Sequence, residues 1–92
     1  MSWQVEISKG ALKELQGLPI DQRKRISAWI DRNLNNCENP CALENAKKIK
    51  GRKGAWRWRV GRYRILGQLQ DEILIIKVIR VAHRRDVYKN LP

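Results

Sequence analysis

Residues 56–64 read WRWRVGRYR, which sets four arginines, two tryptophans and a tyrosine in nine positions. Strict alternation on both sides of Gly61 is the pattern of two short strands joined by a Gly61-Arg62 turn. Successive strand residues point to opposite faces, so Arg57 and Arg59 share one side and Trp56, Trp58 and Val60 the other. On the second strand Arg62, Arg64 and Gln68 form the polar set, and Tyr63, Ile65 and Leu69 the apolar one. The tryptophans are read as packing on helices, with base stacking as the alternative. A solvated face usually mixes signs of charge, but this one carries no acid. Its guanidiniums repel one another unless an anion lies among them.

The closing segment VIRVAHRRDVY adds Arg80, His83, Arg84, Arg85 and Tyr88. Parity puts Arg80 and Arg84 on one face and His83 on the other unless the strand end bulges, so the side of His83 stays open. Arginine grips phosphate oxygens in pairs and stabilises the added charge of a phosphorane-like transition state. No carboxylate cluster accompanies these residues, which disfavours a magnesium-dependent nuclease. No Ser-His-Asp or Cys-His arrangement accompanies them either. The chemistry left is metal-independent attack of a ribose 2′-hydroxyl on the adjacent phosphate, which requires RNA. No cofactor is expected.

The net charge of +11 is unevenly spread over the 92 residues. Residues 1–46 hold six Lys and Arg against six Asp and Glu, and residues 47–92 hold fourteen against three. All the excess therefore sits in the second half, as expected of a polyanion-binding surface. No run nears the ~18 apolar residues that span a bilayer, and MSWQVEISKG is unlike a signal peptide, so the expectation is a cytoplasmic protein with no membrane partner. Cys37, Cys41 and the single His83 are too few for a closed zinc site, and the thiols are read as reduced, with a disulfide as the minor alternative.

The elements that must carry these residues can be read from periodicity. SWQVEI alternates as a strand, and Ser8 caps a helix with Ala11, Leu12, Leu15 and Leu18 at helical spacing. Gly17 and Pro19 end it. A second helix is expected from Ile20 to Leu34, with Ile26, Trp29, Ile30 and Leu34 on one face. NNCENPCALEN and KKIKGRKG read as loops, followed by strands at 55–60 and 63–70. ILIIKVIRVA, apolar on both faces, reads as a central strand. HRRDVYKNLP reads as a helical turn or an extended end. The whole is one α+β domain over 1–92, in the order β-α-α-β-β-β, with a helix pair on one face of a mainly antiparallel sheet.

ISKGALKELQGLP, the long second helix, KKIKG, WRWRVGRYRIL and VIRVAHRRDVY together resemble the RelE/ParE superfamily of toxins, on its RelE branch, over nearly the whole chain. The resemblance implies a type II toxin that cleaves mRNA in the ribosomal A site without a metal. Its expected partners are the ribosome, the message and a silencing antitoxin, through which the complex would bind promoter DNA. It also implies that Arg57 and Arg59 replace two lysines of the family, that Arg64 contacts the scissile phosphate, that Arg84 matches a family arginine near the end of the last strand, and that Tyr88 stacks on or orients the nucleotide. Arginine does not deprotonate in proteins, so neither Arg57 nor Arg59 serves as a general base. Histidine is the one side-chain type that ordinarily titrates near neutrality. Proton transfer is therefore assigned to His83 or Tyr88. Lys47, Lys48, Lys50, Arg52, Lys53, Arg62, Arg80 and Arg85 are assigned to RNA backbone contacts. The rival is a ParE-like toxin that binds DNA gyrase, which has no need of this arginine set.

Overall fold

The computed structural model describes residues 2–89 and has the element order β1 (Gln4–Ile7), α1 (Lys9–Gln16), α2 (Ile20–Trp29), β2 (Ala46–Lys48), β3 (Ala55–Val60), β4 (Tyr63–Gln70) and β5 (Ile75–His83). Asn90, Leu91 and Pro92, the end of the expected tail, lie outside the described residues. The sheet order is β1-β5-β4-β3-β2. All pairings are antiparallel except that of β1 with β5, which is parallel.

Ser8 caps α1 as expected, its Oγ accepting the Ala11 N–H at 3.1 Å. Ile26, Ile30 and Leu34 are buried, and the last two of the three lie beyond α2 proper. After Trp29 the helix widens into a π turn over Ile30–Leu34, which lets Leu34 reach the core although the α-period has drifted. The helices cover one face of the sheet, where Ala11, Leu15, Ile26 and Ile30 join Trp58, Val60, Ile65, Leu69, Ile76 and Val78 in a single core.

Three features differ from the sequence reading. The basic loop begins as a strand, β2, which pairs with β3 and makes the sheet five-stranded. Its three residues lack the apolar alternation that marks a strand. The N-terminal strand closes the other side of the sheet by pairing in parallel with β5. Backbone at Asn36 and Cys37 hydrogen-bonds to Trp3 (Trp3 N–H to the Cys37 carbonyl at 2.8 Å), protecting that edge. Finally, β5 carries a bulge. Gly67 pairs with Val78 and Leu66 with Arg80, so Ile79 is the extra residue and the facing of the strand inverts there.

That inversion is why Val78 and Val81 both enter the core while Arg80 emerges on the opposite side. Gly67 itself lies under Trp58, whose ring would sit 2.6 Å from a β-carbon at that position. Trp58 is fully buried and donates its indole N–H to the Pro40 carbonyl at 2.9 Å, which pins the Pro40–Ala42 turn onto the sheet.

Candidate functional site

The face of the sheet away from the helices is built by strand register. Arg57 lies opposite Lys47 on one side and Leu66 on the other, and Leu66 opposite Arg80. In the next row Arg59 lies opposite Arg64, and Arg64 opposite Ala82. A directly opposed pair of like charges is unfavourable in a sheet, so this row is not explained by folding. Arg64 is half-buried. It bends back over the turn, its Nη1 donating to the carbonyls of Gly61 and Tyr63, both at 3.0 Å.

The C-terminal segment completes the surface. The Arg84 N–H donates to the Arg62 carbonyl at 2.8 Å and continues the ladder past β5. From His83 the chain folds into hydrogen-bonded turns, with Asp86 and Val87 N–H on the His83 carbonyl at 2.8 and 3.1 Å. This is the expected helical turn, and it buries Val87 while leaving Tyr88 exposed.

Four groups act electrostatically on Arg64. Burial first, then the guanidiniums of Arg57, Arg59 and Arg84, push it below the ordinary arginine value, and the Tyr88 phenol pulls it back. The structure therefore brings together Arg57, Arg59, Arg64, Arg84 and Tyr88, and no acidic side chain is among the described groups that shift Arg64.

It does not bring His83 to them. His83 lies opposite Tyr63, on the helix side of the sheet, in an edge-to-face contact with centroids 5.7 Å apart. Its Nδ1 accepts the Arg85 N–H at 3.2 Å, so the ring is engaged by the fold. The bulge that inverts β5 lies before Arg80, and the relation of His83 to Arg80 and Arg84 is therefore the unbulged one. Of the two proton-transfer candidates, only Tyr88 stands in the arginine cluster.

Arg80 is also reassigned. Its Nε lies 3.3 Å from Glu14 Oε2, a charge contact rather than an aligned hydrogen bond, and its Nη1 donates to the Lys89 carbonyl. Only 14% of its side chain is exposed. The other Glu14 oxygen accepts the Val81 N–H at 3.1 Å. Glu14, on α1, thus clamps β5 and, through Arg80, the turn that carries Tyr88. Nothing in the pattern of α1 marks Glu14 out, since the contact spans 67 residues.

The other expected RNA contacts separate. Lys47 shares the arginine face as the partner of Arg57, whereas Lys48, opposite Trp56, points to the other side. Lys50, Arg52 and Lys53 lie in the β2–β3 connection, a tight loop held by Gly51 and Gly54 at φ 78° and 74°. Arg62 and Arg85 are exposed at the rim, beside the turn and on the tail. Among the described residues no group of three His, Cys, Asp or Glu side chains is placed to hold a metal ion.

Residues 5–88 match the family model described as ParE toxin of a type II toxin–antitoxin system, parDE. Toxin RelE3 of Methanocaldococcus jannaschii is 35% identical over 92 residues, which cover 96% of this chain and 98% of that protein. The toxin–antitoxin complex RelBE2 of Mycobacterium tuberculosis has a chain similar in structure, with TM-score 0.76, 26% identity, and coverage of 94% of this chain and 95% of that one. The RelB–RelE antitoxin–toxin complex of Methanococcus jannaschii is similar with TM-score 0.70 and 32% identity, covering 94% of this chain and 98% of that one.

Proposed function

The chain belongs to the RelE/ParE superfamily of type II toxins, on its RelE branch, and we propose that it is a metal-independent endoribonuclease acting on message in the ribosomal A site. The observation that carries this reading is the cluster of Arg57, Arg59, Arg84 and Tyr88 around a half-buried Arg64. Such a cluster is unfavourable in the free protein and becomes favourable when a phosphodiester enters it.

In this mechanism Arg64 and Arg84 hold the scissile phosphate, and the ribose 2′-hydroxyl attacks the phosphorus in line with the departing 5′-oxygen. Arg57 and Arg59 stabilise the charge that builds on the equatorial oxygens, which is where preorganised cations are worth most. Tyr88 transfers the proton at the reacting oxygens. The products are a 2′,3′-cyclic phosphate and a free 5′-hydroxyl. Lys47, Lys50, Lys53, Arg62 and Arg85 extend the positive field along the RNA backbone.

The protein acts in the cytoplasm, where translating ribosomes are, and a cognate RelB-like antitoxin silences it by covering the arginines with an acidic or amphipathic segment. The resulting complex binds its own promoter through the antitoxin. The match to a ParE model keeps gyrase inhibition as the second reading. Purified ribosomes programmed with message and a gyrase supercoiling assay separate the two. Cleavage of the message with supercoiling untouched supports the nuclease, and blocked supercoiling without cleavage contradicts it.

A further inference from the structure

A cavity of about 450 Å³ opens at the end of β3 and β4 opposite the hairpin turn. Its wall is formed by Trp56, Lys48, Lys53, Gln68, Asp71 and Cys41. The volume falls within the range of small-molecule sites, about 300–1,000 Å³. Trp56 is the tryptophan whose alternation with Trp58 suggests a core role. In the structure it is only half-buried and turns part of its ring to this space, while Trp58 is fully buried.

The wall is held in place by interactions that the core does not need. The Gln68 amide donates its Nε2 hydrogen to the Lys53 carbonyl at 2.7 Å, and the Leu69 N–H donates to the Gly54 carbonyl at 2.9 Å. Gly54 is at φ +74°, and a β-carbon there would come within 2.6 Å of that amide. On the far side the Asn39 side chain accepts the Cys41 N–H at 3.0 Å, fixing the turn that presents the thiol. Burial, and then the nearby Asp71 charge, raises the Cys41 thiol above its ordinary value, so the thiol itself is uncharged near neutrality. Among the described residues neither lysine forms an ion pair with Asp71, so both charges are available to a ligand.

We propose that this cavity is a nucleotide site selective for guanine, with the base stacked on Trp56, its N1–H and N2–H groups on the Asp71 carboxylate, and its phosphate on Lys48 and Lys53. Every base can stack on an indole, but a carboxylate accepts two parallel hydrogen bonds from the guanine edge alone. The site uses none of the arginines and shares only Lys53 with the proposed RNA track, so it stands whether or not the chain cleaves RNA. The guanine comes either from a free nucleotide or from a single RNA strand.

Calorimetric titration of the full chain with GMP, AMP, UMP and inorganic phosphate tests this. GMP is expected to bind about tenfold or more tightly than AMP or UMP, and inorganic phosphate is not expected to compete at equal concentration. Trp56→Leu should weaken GMP about tenfold. Asp71→Asn, at an exposed position that leaves folding intact, should abolish the preference for guanine. Arg64→Ala should leave GMP affinity unchanged, so failure here is distinguishable from failure of the nuclease reading. In that Arg64→Ala background, a guanine-containing hexamer that outcompetes GMP assigns the site to RNA, and equal affinity assigns it to the free nucleotide. Equal affinity for all bases, a guanine preference that survives Asp71→Asn, or loss of GMP binding in Arg64→Ala overturns the proposal.

Discussion

Arg59 and Arg64 face each other across β3 and β4, an arrangement that costs stability in the unliganded protein. Arg59→Gln should therefore raise the unfolding free energy by about 0.2–1 kcal/mol while lowering the rate of message cleavage. Thermal melting and a cleavage assay on the same preparation check the two halves. In the proposed mechanism proton transfer falls to Tyr88, which stands among the arginines, and not to His83. Tyr88→Phe should lower the cleavage rate about 10²-fold or more with little change in RNA affinity. His83→Asn, on the other side of the sheet, should cleave at close to the parent rate. Single-turnover kinetics of the two variants distinguish them. Composition favours His83, the one histidine; strand register places it against Tyr63 instead.

At the scale of elements, β3 and β4 are legible in the sequence to their end residues, because alternation of arginine and apolar residues is strong and Gly61, at φ 60°, permits the turn. The short strand β2 is not legible, since AKK carries no alternation and its pairing depends on β3 being present. The bulge at Ile79 is invisible for a related reason: ILIIKVIRVA is apolar on both faces, and no change of period marks the inversion. The clamp of Glu14 on Val81 and Arg80 joins α1, β5 and the C-terminal turn, and only the folded chain reveals it. Arg80→Ala should loosen the turn that carries Tyr88, reducing cleavage several-fold. Hydrogen exchange at Val87 and Lys89 should quicken in this variant, while β3 and β4 stay protected. Unchanged exchange in the turn would remove Arg80 from this positioning role.

Over the whole molecule, the charge asymmetry of the chain becomes a division of the fold. The half with balanced charge supplies β1, the helices and most of the core's second layer, and the basic half supplies the rest of the sheet with both its arginine face and its lysine edge. No helix among the described residues is long and apolar enough to cross a membrane. Binding to single-stranded RNA should accordingly weaken with salt, the logarithmic slope shrinking by about 0.7 for each phosphate-contacting cation removed. Lys50→Ala is expected to lower the slope by that amount and to weaken all RNA sequences alike, as measured by fluorescence anisotropy over a salt series.

The central claim is that the arginine face cuts translated message. Primer extension on a translated message after induction, with the parent chain and with Arg64→Ala, measures this most directly. The expected result is stops within the coding region for the parent chain, at a constant phase of the reading frame, that fall about 10²–10³-fold in Arg64→Ala. Growth arrest without such stops, or stops of equal strength in Arg64→Ala, would contradict it.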